Sequence, residues 1–115
     1  MKPRAFVLCA ATLALSACSV WPVDQDPKGM AYRRNADTVI EALQTYRKAR
    51  GAFPIALSEL TPSYIAALPD EPALAYYPLS GALEYHYIPS WPQLRPVWCN
   101  SVGDTTEWKC QEHIL

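Results

Sequence analysis

The sequence predicts an α+β fold in which one long N-terminal amphipathic helix packs on a small antiparallel sheet of about four strands. Two patterns and one pair of residues predict it. Tyr32, Ala36, Val39, Ile40, Leu43 and Tyr46 recur at spacings of three and four, which places them on one face of an α-helix. Past residue 73 the period changes to two, in runs rich in tyrosine and other strand formers. Cys99 and Cys110 fall in the last two of these runs, where a disulfide can staple a hairpin.

At the start of the chain, Lys2 and Arg4 precede an apolar stretch over residues 5–15, and Leu15-Ser16-Ala17-Cys18 closes it. A charged start, a short apolar run and small residues before a cut describe an export signal. The run is too short to cross a bilayer comfortably, since spanning takes about 20 apolar residues. With the cysteine at its end the segment resembles a bacterial lipoprotein signal. The resemblance implies that residues 1–17 are discarded and that Cys18 is acylated (palmitate is among the expected chains) and becomes the first residue of the mature protein. Ser19 in place of an aspartate resembles the pattern sorted to the outer membrane, facing the periplasm. Cys9 lies behind bulky residues and reads as part of the discarded segment.

Removal of residues 1–17 from 115 leaves 98, enough for one small domain and a tether. Without Lys2 and Arg4, eight basic residues face eleven acidic ones, a formal charge of −3. No basic footprint for nucleic acid exists. Once Cys9 and Cys18 are set aside, Cys99 and Cys110 remain as the only pair, and an oxidising compartment favours their disulfide. A zinc site built from Cys99, Cys110, His86 and His113 is the competing arrangement, but the close cysteine pair of structural zinc sites is absent. No metal and no cofactor are expected.

Residues 18–29 carry Pro22, Asp24, Asp26 and Pro27 without periodicity and read as the lipidated cysteine and its extended tether. The globular domain is then residues 30–115. Its helix occupies residues 30–50, with Lys48 and Arg50 matching the negative C-terminal end and Gly51 as left-handed cap. Pro54 forbids continuation. Ser58-Glu59-Leu60 and Pro62-Ser63-Tyr64-Ile65 read as two one-turn helices whose leucines and aromatics point back at the long helix. Residues 74–79 and 83–88 form a hairpin around Ser80-Gly81-Ala82. A proline-rich crossing from Pro89 to Pro96 leads to strands at residues 97–99 and 107–110.

The stretch from Asp37 to Pro72, with Leu43, Tyr46, Gly51, Phe53-Pro54, Leu57, Leu60, Pro62, Tyr64 and Leu68-Pro69-Asp70, resembles the globular region of type II secretion major pseudopilins. The resemblance implies a pilin-like order of helix, proline-bounded loop and small antiparallel sheet. It covers about a third of the mature residues. Phe53 stands where that family has tyrosine, and Glu71 separates Asp70 from Pro72. The long apolar N-terminal helix of the family, with its glutamate, has no counterpart, so filament assembly lacks its driving surface. Asp104 is the one carboxylate between Cys99 and Thr106, too few oxygens for the family's calcium.

Catalytic residues are not expected: His86, His113, Ser58, Ser90 and Ser101 sit in no nucleophile or histidine-pair motif, and the four glycines are too dispersed for a phosphate loop. Aromatics are the better lead. Tyr76 and Tyr77 are neighbours and point to opposite faces of a strand. One of them, together with Trp91 in its Pro89-Ser90-Trp91-Pro92 loop, forms a possible contact surface. The expected function is a membrane-anchored envelope lipoprotein held through Cys18, serving as a structural or interaction module for another envelope protein, with a link to a secretion or pilus-like system. A module stacking a glycan or peptidoglycan fragment on Trp91 or Trp98, and a periplasmic enzyme inhibitor, are the alternatives. Oligomeric state is not legible.

Overall fold

The computed structural model describes residues 21–113, so the export segment, Cys9 and Cys18 lie outside the described residues. Among the described residues one α-helix precedes a four-stranded antiparallel sheet. The helix, α1 (Pro27–Arg50), begins 26 residues into the chain and three residues before the point marked by the periodicity. The correction has a local cause. Asp26 is the N-cap, its carboxylate accepting from the Gly29 N–H at 3.2 Å, and Pro27 occupies the first helical position, where its missing N–H costs nothing. At the other end Gly51 adopts φ 81° and its N–H reaches the Arg47 carbonyl at 2.7 Å, with Arg47, Lys48 and Arg50 in the last turn.

After the cap, a 3₁₀ turn spans Leu57–Leu60. Glu59 fixes it by reaching back to the N–H groups of Ile55 at 2.8 Å and Ala56 at 2.9 Å. The second one-turn helix expected at residues 62–65 is instead a plain turn: the N–H groups of Tyr64 and Ile65 both converge on the Leu60 carbonyl, and Pro62 has none to give. The strands are β1 (Ala75–Tyr77), β2 (Ala82–Tyr87), β3 (Val97–Ser101) and β4 (Trp108–Glu112), adjacent in chain order. Strand β1 stops short of residue 79 because the chain turns at Pro78, and the Tyr77 carbonyl accepts from Gly81 N–H at 2.8 Å to close the hairpin. Gly81 has φ 72°, and a Cβ there would fall 2.6 Å from the Phe53 ring, so both backbone and packing require glycine.

Alternation sorts the sheet into two faces. Leu83, Tyr85 and Tyr87 of β2 and Val97 and Cys99 of β3 are buried against α1, which supplies Ala36, Val39, Ile40, Leu43 and Tyr46. Ile40, Leu43, Leu60 and Leu83 have no exposure at all. Removal from water stabilises the fold by about 1.5–3 kcal/mol for each such side chain. Polar ties hold the layers in register: Trp108 Nε1 donates to Asp37 at 2.7 Å, and the Gln44 amide donates to the Asp104 carbonyl at 2.6 Å. Cys99 and Cys110 are directly opposed in the β3–β4 ladder and form the disulfide.

Candidate functional site

Because α1 covers only one face of the sheet, the other carries the residues that alternate away from the core. His86, Asn100, Lys109, Gln111 and Tyr77 are exposed there. His86 and Trp98 are partners in the β2–β3 ladder, and their rings stack at 4.6 Å with an interplanar angle of 19°. The His113 ring packs on the same indole at 5.6 Å, its backbone held by an N–H bond to the Pro96 carbonyl at 2.7 Å. The result is an imidazole–indole–imidazole row across β2, β3 and the residue that follows β4. Its flat rings present edges and faces to solvent with little side-chain freedom left to lose on contact.

Of the three aromatics singled out from the sequence, two are open and one is not. Trp91 is 78% exposed and Tyr77 47% exposed. Tyr76 turns inward against the helix cluster and its hydroxyl donates to the Pro54 carbonyl at 2.6 Å. Burial, with the charge of nearby Glu59 added, pushes that hydroxyl up to about 12. Trp91 and Tyr77 are therefore available for contact, and they lie on different parts of the surface. His86 and His113 face away from the buried Cys99, so they share no site with the cysteines.

Residues 21–29, read from the sequence as tether, form the most connected polar group of the fold. Asp24 and Asp26 are 6% and 1% exposed. Asp24 pairs with Arg33 and accepts from the Tyr85 and Tyr87 hydroxyls, each at 3.1 Å. Asp26 accepts from the Tyr87 hydroxyl at 2.8 Å, the Ser90 N–H at 2.9 Å, the Ser90 hydroxyl at 3.0 Å and the Gly29 N–H. Tyr87 stands between the two carboxylates with a single hydroxyl proton. The shorter contact claims it for Asp26 and leaves Asp24 a donor short.

The two acids are thereby pushed apart. Burial raises the Asp24 carboxyl above its ordinary 3.8, against the pull of Arg33 and the tyrosine hydroxyls and with the Asp26 charge added to the rise. Burial also acts to raise Asp26, but the donors from Ser90, Tyr87 and Gly29 outweigh it and hold this carboxyl below 3.8. Burial raises the Tyr85 and Tyr87 hydroxyls well beyond their usual range, and the two aspartates add to it.

No family model, curated protein or solved structure matches this chain. Its chemistry is therefore read from its own residues. Asp24 and the sulfurs of Cys99 and Cys110 lie within 4.8 Å of one another. The sulfurs are bonded to each other and Asp24 to Arg33 and two tyrosines, so this trio offers no free ligand set. Among the described residues every buried side-chain nitrogen or oxygen has a partner. The aspartate cluster is a lock between the start of the fold and its sheet. No helix among the described residues is long and apolar enough to cross a membrane.

One local signal in the sequence marks this lock. Asp26-Pro27 is an N-cap residue followed by proline at the first helical position, the signature of a helix start. Its partners Tyr85, Tyr87 and Ser90 lie more than 60 residues away and leave no local trace.

Proposed function

We propose that this chain is a lipid-anchored structural or interaction protein of the bacterial cell envelope, held through acylated Cys18 and reading a protein partner through the open face of its sheet. The observation that carries the partner reading is the one-sided cover of the sheet, which leaves the His86–Trp98–His113 row beside exposed Asn100 and Lys109. Tyr and Trp with polar neighbours on a rigid scaffold are the usual material of interaction hot spots. The anchor reading rests on Lys2, Arg4, the apolar run and Leu15-Ser16-Ala17-Cys18.

Kinship with the globular part of pseudopilins is supported by the order of helix, Gly51 cap, Pro54-bounded loop, buried Leu60 and antiparallel sheet. An acyl anchor in place of the apolar helix of that family favours an accessory role at a secretion or pilus-like assembly over incorporation into a filament. An outer-membrane site facing the periplasm follows from Ser19 beside the anchor. Stacking of a glycan on Trp98 is less favoured, because that indole already carries two imidazole neighbours.

The test is photo-crosslinking in intact bacteria from single positions. A crosslinker at Asn100 or Lys109 is expected to trap one discrete partner, and the same group at Arg34 or Glu41 on the exposed side of α1 is not. Equal capture from both sides, or none from the sheet, sinks the partner reading. The anchor is tested separately by the mass of the membrane-extracted chain, which should begin at Cys18 with acyl chains attached.

A further inference from the structure

The lipid anchor is separated from the fold by almost no chain. Residues 24–29 are built into the core through Asp24 and Asp26, and Trp21 is itself tied down, its carbonyl accepting from the Gln93 side chain at 2.9 Å. Three residue steps separate Trp21 from Cys18. Even fully extended they reach only about 11 Å, at 3.3–3.6 Å per residue. The polar layer of one bilayer leaflet is about 5–8 Å thick. A body fixed at Trp21 to a cysteine whose acyl chains lie in the bilayer therefore rests on the lipid headgroups and does not float above them.

The surface at this end fits that location. The segment 21–28 is stitched to the segment 88–93 by Gln93 to Trp21, Ser90 to Asp26, and Lys28, whose Nζ donates to the Ile88 carbonyl at 3.2 Å. These two segments and the residue after them carry Trp21, Val23, Ile88, Trp91 and Leu94, all exposed, with Trp91 more open than Trp21. Tryptophan with aliphatic neighbours and a lysine is the composition that settles at a membrane–water boundary. In water the same side chains leave apolar area uncovered.

We infer that Trp21, Trp91 and Leu94 form a bilayer-contacting apron that seats the domain directly on the membrane holding Cys18, with the N-terminal end of α1 proximal and its Gly51 end distal. The inference rests on the acyl-anchor reading of Cys18. It adds a fixed orientation: the Asp24–Asp26 lock transmits the position of the anchor to the sheet, so the open sheet face is held at a set height and angle to the membrane. A swivelling tether gives no such constraint.

The test uses the mature, acylated full chain in vesicles of phosphatidylethanolamine and phosphatidylglycerol, some carrying phospholipids brominated near the glycerol end of the acyl chain. Flotation with the vesicles reports the anchor, and quenching of tryptophan emission by bromine reports the apron. Wild type is expected to float and to be quenched. A Trp21→Phe, Trp91→Phe variant, made in a Trp98→Phe background because Trp98 pairs with His86 at this same end of the sheet, should float with that quenching lost, since Trp108 lies opposite Ser101 at the far end of β3. A Trp91→Asp, Leu94→Asp variant should keep its circular dichroism and flotation and lose quenching at Trp21. Flotation without quenching of wild type overturns the apron and leaves the anchor standing. Failure of the acylation mass and of flotation overturns the anchor, and the apron with it. Quenching that survives in the Trp21→Phe, Trp91→Phe variant also overturns the apron, by placing another tryptophan at the bilayer.

Discussion

The Tyr87 hydroxyl occupies the space beside Gly29 where any other residue of α1 would carry its Cβ. A Cβ built at Gly29 falls on that hydroxyl and lies 2.9 Å from Tyr87 Cζ and 2.8 Å from Asp26 Oδ1. Glycine inside a helix is ordinarily about 1 kcal/mol worse than alanine, so the usual expectation for Gly29→Ala is a gain. Here the sign inverts. The methyl must displace Tyr87 from Asp26 or open the helix start, at a cost of about 1–3 kcal/mol for overpacking. Urea denaturation of Gly29→Ala should show a lower midpoint with unchanged slope, and a raised midpoint would show that the lock is not as close as described.

Asp26→Ala should be among the most damaging single substitutions in the described residues. It removes the helix N-cap, worth about 0.5–2 kcal/mol. It also strands the partly buried Ser90 N–H and leaves the Tyr87 hydroxyl with Asp24 alone as acceptor. Each buried donor left without a partner costs about 1–3 kcal/mol. Asp26→Asn keeps the cap and one of the two acceptor oxygens and should recover part of the loss. Equal stability of the two variants in thermal melts would contradict this account.

The opposite shifts of the two aspartates give stability an acid maximum. Asp26, lowered in the fold, contributes stability above its ordinary 3.8 that is lost as pH falls through its folded value. Asp24, raised in the fold, is penalised while ionised, so stability rises as pH falls through its folded value and stops rising near 3.8, where the unfolded chain also takes the proton. From neutral pH downward, unfolding free energy should first climb and then collapse, peaking just above 3.8. Asp24→Asn should flatten the climb and leave the collapse. A wild type that only loses stability on acidification would show that Asp24 is not the group taking up the proton.

How much of this was readable in advance follows the range of each interaction. Ala36, Val39, Ile40, Leu43 and Tyr46 announce their face by spacing alone, and Leu83, Tyr85 and Tyr87 by alternation, so helix, sheet and inner face were legible. Cys99 and Cys110 were legible by elimination. The Asp24–Arg33–Tyr85–Tyr87 group was not, because it joins the start of the fold to strands 61 to 63 residues later, and acidic residues beside prolines are the ordinary composition of a linker. The turn at residues 62–65 failed for a different reason: Pro62 permits a helix start, and only the convergence of two N–H groups on Leu60 decides against one. The His86–Trp98 stack needs strand register, which alternation does not supply.

The disulfide should matter to stability more than to geometry. Cys99 and Cys110 are separated by 11 residues and already opposed in the ladder, so the fold does not depend on the bond to bring them together. By chain-entropy estimates a closed loop of this length contributes about 3 kcal/mol, through restriction of the unfolded chain. Cys99→Ala with Cys110→Ala should retain strand signal in circular dichroism and lower the unfolding free energy from urea denaturation by that amount. Loss of the sheet signal in native buffer would instead make the bond a condition of folding.

Two tryptophans provide the sharpest contrast between surface and structure. Trp91 is 78% exposed, and Trp91→Ala should change stability by no more than about 0.5 kcal/mol. Trp108 is half-buried, packs edge-on against Tyr85 at 5.2 Å, lies under the Arg33 guanidinium at 5.3 Å and donates to Asp37. Trp108→Phe keeps most of the packing but leaves Asp37 without its indole donor, at about 0.5–1.5 kcal/mol for the hydrogen bond. It also weakens the contact with Arg33, so the aspartate cluster loosens with it. The two variants compared by urea denaturation should therefore separate clearly, with Trp91→Ala at the wild-type midpoint and Trp108→Phe below it. A Trp91→Ala protein as unstable as Trp108→Phe would place Trp91 in the packing of the lock and remove it from the bilayer-facing surface.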